Sequence, residues 1–346
     1  MEDRTISKKT DFDTLTASLK QGEVDNLYIF HGEERYLLER SLDTLRKLLC
    51  PDGLSGFNYN YFDGNTLTVD EFENAVNTLP AFAEKTLIEV HDFNLFKGDA
   101  RERFCEIFAD LPDYVCIVFI YSTIEYKPDG RQKLNKEILK YASVVDFVAQ
   151  GQDRLVKWIK RHFADAGKNI SVNDAAYLSF ITGGLMVNLK GEIEKVAAYS
   201  KNDIITKQDI DAVVTPVLDT VTYKLTDALV NRNNKHALQL LDELFQMREV
   251  PHTLIYSISL KMRQLLAARL CLDNNLNKTK LIELTGIRHE FQARMLMTTA
   301  SKTTLSECRD AVLSCATTAY ELNSSPTDSE SQLIELVTRL AQRSNI

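Results

Sequence analysis

Leu27-Tyr28-Ile29-Phe30 is an apolar run, His31-Gly32-Glu33-Glu34-Arg35 is a turn, and Leu38, Leu42, Leu45 and Leu49 then recur on one helical face. A strand, a turn and a helix in this order form the place where many proteins hold a nucleotide. That chemistry needs a G-x-x-x-x-G-K-[ST] loop, because backbone N–H groups, a Lys and a hydroxyl must meet the phosphates and magnesium. Here the turn has one glycine, Gly32, and no Lys, Ser or Thr. Glu33 and Glu34 set two carboxylates where a polyphosphate would lie, and like charges repel. The turn is either an ordinary strand-to-helix connection or a nucleotide fold that has lost its ligand.

No other constellation supplies catalysis. The chain has no G-x-S-x-G and no H-E-x-x-H, and its histidines at 31, 91, 162, 236, 252 and 289 are scattered. Val90-His91-Asp92 offers one acid at the end of a strand, too little for the magnesium and water of an NTPase. Cysteines 50, 105, 116, 271, 308 and 315 form no C-x-x-C pair, so no zinc module is expected. No catalytic residue, metal or cofactor is expected from this chain.

Binding is better represented. Asn77-Thr78-Leu79-Pro80-Ala81-Phe82-Ala83 follows a short helical pattern, and Pro80 ends it. Leu79, Pro80, Ala81 and Phe82 then lie on a turn, where Phe82 either plugs the core or anchors a partner. Burying one Phe is worth about 1.5–3 kcal/mol, the scale of an interface hot spot. Two basic segments are candidates for nucleic acid: Arg154, Lys157, Lys160 and Arg161 around Trp158, and Lys127, Arg131, Lys133, Lys136 and Lys140. Neighbouring acids weaken the field of both, and a solvated helix face explains either.

The whole chain has 346 residues, 44% of them hydrophobic, enough for two or three domains with cores. Its net charge of −8 is uneven. Residues 1–150 carry 17 basic against 27 acidic side chains, a balance of −10, while residues 151–346 carry 24 against 22. The acidic first part argues against a broad DNA-binding face there. No apolar run approaches the roughly 18 residues that span a membrane. Met1-Glu2-Asp3-Arg4 opens no secretory signal, and scattered cysteines fit reduced thiols, so a cytoplasmic location is expected.

The first 150 residues alternate strands at 27–30, 57–62, 86–90, 114–121 and 144–148 with helices at 38–49, 69–78, 101–109 and 135–141. The 114–121 run is apolar on both faces, which suits the centre of a mainly parallel sheet. After Gly151 the pattern turns helical: 154–164, 174–181, 185–200, a connector at 202–206, and 207–215. Pro216 marks a further boundary. Helices at 222–231, 235–247, 251–272, 305–323 and 329–344 follow, with short helical pieces at 279–284 and 290–300. The fold class is α/β followed by all-α, in three domains: 1–150, 151–215 and 216–346.

In order and spacing these segments resemble the delta subunit of the bacterial DNA polymerase III clamp loader over residues 15–345. The carriers are Tyr28-Ile29-Phe30-His31-Gly32-Glu33-Glu34-Arg35-Tyr36-Leu37-Leu38, Leu79-Pro80-Ala81-Phe82-Ala83-Glu84-Lys85-Thr86-Leu87-Ile88, Asn188-Leu189-Lys190-Gly191-Glu192-Ile193-Glu194-Lys195, and Tyr223-Lys224-Leu225-Thr226-Asp227-Ala228. The set in order is specific, though no single motif is. The resemblance implies a degenerate AAA+-like α/β domain with a parallel sheet, a small helical lid domain and a C-terminal helical collar. It implies a non-catalytic part of a DNA-directed DNA polymerase holoenzyme, without ATP. Residues 1–150 would bind the sliding clamp and destabilise its ring interface for loading onto primed DNA. Residues 216–346 would join the motor subunits and delta-prime in a hetero-pentamer. The family's hydrophobic pair falls on Ala81 and Phe82, and Ala81 departs from the usual Leu. Motor subunits keep an intact phosphate loop and delta-prime carries Ser-Arg-Cys; neither is present here. The rival readings are an ATPase subunit with an unusual phosphate loop and a scaffold of another replication or repair complex.

Overall fold

A computed structural model describes residues 9–50, 58–81, 83–98, 101–287, 290–324 and 328–342. The chain forms two compact units, Met1–Ala149 and Gln150–Ile346.

The first unit is built on a six-stranded parallel sheet. Its strands are β1 (Lys9–Thr10), β2 (Leu27–His31), β3 (Tyr59–Asp63), β4 (Thr86–His91), β5 (Val115–Ile120) and β6 (Ser143–Asp146), in the order β1-β6-β2-β5-β4-β3. Every residue of β5 is buried, and β2 and β4 flank it, as its two-sided apolarity predicts. The helices are α1 (Phe12–Lys20), α2 (Arg35–Leu49), α3 (Val69–Asn77), α4 (Arg101–Ala109) and α5 (Lys133–Tyr141). Leu37, Leu38, Leu42 and Leu45 form the buried stripe of α2. On the opposite sheet face, Phe72 of α3 and Phe104 and Phe108 of α4 pack around Phe119 of β5, with ring centroids 5.3–6.2 Å apart. α3 is held open at its start by a capping box, Thr68 with Glu71.

The second unit is helical apart from a two-stranded parallel sheet. Its helices are α6 (Gln152–Asp165), α7 (Val172–Ile181), α8 (Met186–Tyr199), α9 (Lys207–Val213), α10 (Leu218–Val230), α11 (Asn234–Gln246), α12 (Pro251–Asp273), α13 (Lys278–Thr285), α14 (Glu290–Ala300), α15 (Leu305–Ser324) and α16 (Ser329–Gln342). The sheet joins β7 (Asn169–Ile170) to β8 (Ile204–Ile205), inside the segment expected as a plain connector. α12 packs on α10, α14, α15 and α16.

The boundary expected at Pro216 lies inside this unit. Val217 N–H donates to Ile181 O at 2.9 Å, and Thr220 Oγ1 donates to Phe180 O at 3.0 Å. The Phe180 ring meets Tyr223 and Phe291 at 5.6 and 5.7 Å. Residues 151–215 thus share buried aromatic packing with residues 216–346. No helix among the described residues is long and apolar enough to cross a membrane.

Candidate functional site

The turn between β2 and α2 is closed by backbone from a distant part of the chain, at Phe147. Gly32 has φ +122°, a conformation that L side chains rarely adopt. A Cβ there would lie 2.5 Å from the carbonyl oxygen of Phe147. Only glycine lets the turn pass that close. Phe147 N–H donates to His31 O at 2.7 Å, and Glu34 N–H donates to Phe147 O at 2.8 Å. Arg35 N–H is directed at Glu33 O, 3.1 Å away. Two amides at the start of α2 that would greet a phosphate are therefore already engaged. The two carboxylates also part company: Glu33 is exposed, whereas Glu34 is fully buried. Beside them, the Arg35 guanidinium donates to Tyr121 O at 2.6 Å and to Ser122 O.

Asp92, the lone acid expected at the end of β4, has a structural task. Its Oδ1 accepts from the N–H groups of Ser122, Thr123 and Ile124 at 2.6, 2.8 and 3.3 Å. Burial pushes its carboxyl up, and these hydrogen bonds outweigh the burial and hold it below the ordinary range. Among the described residues no group of three or more His, Cys, Asp or Glu is set to hold a metal.

Between sheet and α2 lies a buried charge cluster. Glu89 of β4 is fully buried. Arg46 meets it bidentately, Nε to Oε1 at 2.7 Å and a terminal nitrogen to Oε2 at 2.6 Å. Tyr59 OH donates to Glu89 Oε2 at 3.2 Å, and His91 Nε2 lies 3.3 Å from it. Burial raises the Glu89 carboxyl, but hydrogen bonds from His91, Arg46 and Tyr59 prevail and leave it below its ordinary value. A Glu inside the apolar run 86–90 was the sequence signal for a partner, because Glu is almost never fully buried unless paired.

The loop between α3 and β4 presents Leu79, 71% exposed, with Pro80 and Ala81 half-buried behind it. Phe82 lies outside the described residues. The loop is tied down at Ala81: its N–H donates to Asn58 Oδ1 at 2.6 Å, and its carbonyl accepts from Asn58 Nδ2 at 2.5 Å. Asn58 itself is fully buried. Sequence reasoning missed Asn58, and one Asn between aromatic residues carries no signal of such a contact.

Arg154, Lys157, Lys160 and Arg161 are all exposed on α6, with Trp158 half-buried and its ring tilted against that of His162, the centroids 3.9 Å apart. Asp153 and Asp165 are exposed on the same helix. Lys127, Arg131, Lys133, Lys136 and Lys140 are exposed in the first unit, where Lys127 pairs with Glu125 at 2.7 Å. The two basic groups thus belong to different compact units.

A parallel sheet between two helical layers, a strand-to-helix turn closed by backbone, and a mostly helical second half define an α/β protein with a helical extension. The chain belongs to the DNA polymerase III delta subunit family, whose description matches residues 28–148 and whose C-terminal domain matches residues 219–340. It is similar to DNA polymerase III subunit delta of Bacillus subtilis, 23% identical over 333 residues, spanning 94% of this chain and 96% of that protein. A probable DNA polymerase III subunit delta of Aquifex aeolicus is 23% identical over 278 residues, 77% of each chain. Among solved structures, the Bacillus subtilis DNA clamp loader delta protein YqeN superposes with a TM-score of 0.55 at 22% identity, covering 96% of this chain and all of that one. The resemblance read from the sequence and the α/β-then-α fold are both borne out.

Proposed function

We propose that this chain is the clamp-opening subunit of a bacterial replicative clamp loader. In this reading Leu79, Pro80, Ala81 and Phe82 bind the sliding clamp and favour its strained, open ring. A ligand shifts a conformational equilibrium only by its differential affinity for the two states, so the loop must hold the open clamp more tightly than the closed one. The observation that carries the reading is the exposed Leu79 on a backbone-anchored loop, in a chain of the delta subunit family. A large aliphatic side chain that stability does not need is free to serve a partner.

The closed Gly32-Glu33-Glu34 turn supports a subunit that works without nucleotide. Opening is then driven by binding, while motor subunits supply the ATP cycle. The division of labour gives clamp binding to residues 1–150, a lid to 151–215, and assembly with the motor subunits and delta-prime to the collar, 216–346. Arg154, Lys157, Lys160 and Arg161 are the contact for primed DNA within that complex. The place of action is the cytoplasm.

The test is a titration of the full chain against its cognate clamp, with Phe82→Ala beside it. The variant should lose about 2–4 kcal/mol of clamp affinity, as central aromatic anchors do, with unchanged melting. A chain that does not bind the clamp, or a folded Phe82→Ala that binds as well as the unmodified chain, refutes the reading.

A further inference from the structure

We propose that Asn58 is a positioning residue for the clamp-binding loop, clasping the Ala81 backbone so that Leu79 and Pro80 are set in their presenting conformation before the clamp arrives. The proposal rests on the clamp-binding reading above. Eight residues, 78–85, connect the end of α3 to the start of β4. At one end Thr78 Oγ1 donates to Asn74 O at 2.7 Å, and its N–H donates to Ala75 O at 3.3 Å. At the other end Lys85 Nζ donates to Asn26 Oδ1 at 2.5 Å. Between these ties the Asn58 amide meets both polar atoms of Ala81.

Leu79, at 71% exposure, has little packing to hold it. Its direction is therefore set by the backbone on either side, at Thr78 and Ala81. A loop ordered in advance loses less freedom on binding, so more of the contact energy appears as affinity. Asn suits the task because one short side chain carries both a donor and an acceptor; Asp lacks the donor, and Ser offers one atom instead of two. Asn58 is itself fixed. It is fully buried just ahead of β3, and its carbonyl accepts from Cys50 Sγ, 3.5 Å away at the end of α2. The clasp thus refers the loop to both the sheet and α2.

The experiment compares the full chain with Asn58→Ser, Asn58→Ala, Asn58→Asp, Leu79→Ala and Asn58→Ala/Leu79→Ala. Each is titrated against the sliding clamp, with association and dissociation followed by surface plasmon resonance. Hydrogen exchange at the Ala81 amide reports the clasp directly, and a urea midpoint reports the fold. Asn58→Ala should bind about 10- to 30-fold more weakly, chiefly through slower association, since binding then requires the loop to order. Affinity should run unmodified chain, Ser, Ala. Asn58→Asp should fall with Ala, because its carboxylate opposes the Ala81 carbonyl. In the Leu79→Ala background the Asn58→Ala loss should shrink at least threefold, the coupling expected of residues that act together. If Asn58→Ala frees the Ala81 amide yet binds within twofold of the unmodified chain, the clasp has no role in binding. Equal losses in both backgrounds, or an affinity order that follows the urea midpoint alone, overturn the proposal equally. If the unmodified chain does not bind the clamp, the clamp-binding reading itself fails; if that chain binds and Leu79→Ala weakens it while the Asn58 variants do not, only the clasp fails.

Discussion

Replacing Arg46 with Met tests the buried charge cluster, because it removes the cation and keeps most of the aliphatic stem. Glu89 is left fully buried with Tyr59 and His91 as its remaining partners. Breaking a fully buried pair from one side costs about 3–5 kcal/mol. Arg46 keeps 34% of its side chain in solvent, which screens part of the attraction and places the loss near the lower end. There is also a ceiling. Glu89 can take up a proton, which limits the cost of a lone buried carboxylate. The expected loss for the first unit is therefore about 2–3.5 kcal/mol at pH 7. The pH dependence then changes sign. In the unmodified chain the Glu89 carboxyl is held below its ordinary value, so its stabilisation is present above about pH 4.3 and is lost as pH falls through the lower folded value. In Arg46→Met burial dominates and lifts that carboxyl, so its destabilisation is full at neutral pH and fades as pH falls toward 5. Adding Glu89→Leu should recover more than half of the loss, since an apolar pair leaves no buried charge. Urea unfolding followed by far-ultraviolet circular dichroism measures this. Trp158, the single tryptophan, belongs to the second unit, and its fluorescence transition should stay in place. A double variant no more stable than Arg46→Met, or equal losses at pH 5 and pH 7, would refute the reasoning.

The isolated chain should not bind a fluorescent ATP analogue with magnesium, because Glu34 N–H and the Gly32 turn are engaged by Phe147; saturable micromolar binding would contradict this. Gly32→Ala should destabilise the first unit by about 2–4 kcal/mol, from a positive φ and a Cβ driven into the Phe147 backbone, and a unit that melts normally would show that the turn is looser than described. A fragment of residues 150–346 should unfold in one cooperative transition, whereas residues 216–346 alone should unfold earlier, because Tyr223 and Phe291 lose the Phe180 ring; equal urea midpoints would show that this packing contributes nothing.

Strong periodicity carried the fold. The run 114–121 was legible as a central strand because apolar residues on both faces have nowhere else to go, and β5 lies between β2 and β4. The leucine stripe of α2 was legible for the same reason. β1, β7 and β8 were not, since two residues have no period to read. The boundary at Pro216 looked sharp because proline ends a helix, but local backbone chemistry says nothing of the Phe180, Tyr223 and Phe291 rings that join residues distant in sequence. At the candidate site, the lack of Lys and of Ser or Thr beside Gly32 could be read directly from the sequence. What closes the turn could not, because Phe147 lies more than a hundred residues away. The Asn58 contact with Ala81 escaped for a similar reason: an amide at 58 is equally at home in solvent, and only the fold brings it to the loop.

The hydrogen bonds around Phe147 have a mechanical consequence. Phe147 is among the last residues before the chain leaves the first unit, and it is fastened on both sides, by its N–H to His31 and by its carbonyl to Glu34. The anchors are the last residue of β2 and the turn that follows it, and β2 is bonded to β5 as well as β6. A tug on the chain from residue 150 onward is therefore received by an interior strand of the sheet and not by its frayed rim. Traction of that kind must shear several rows of hydrogen bonds together instead of peeling them one at a time. The first unit is a firm mooring for whatever pulls on the rest of the chain.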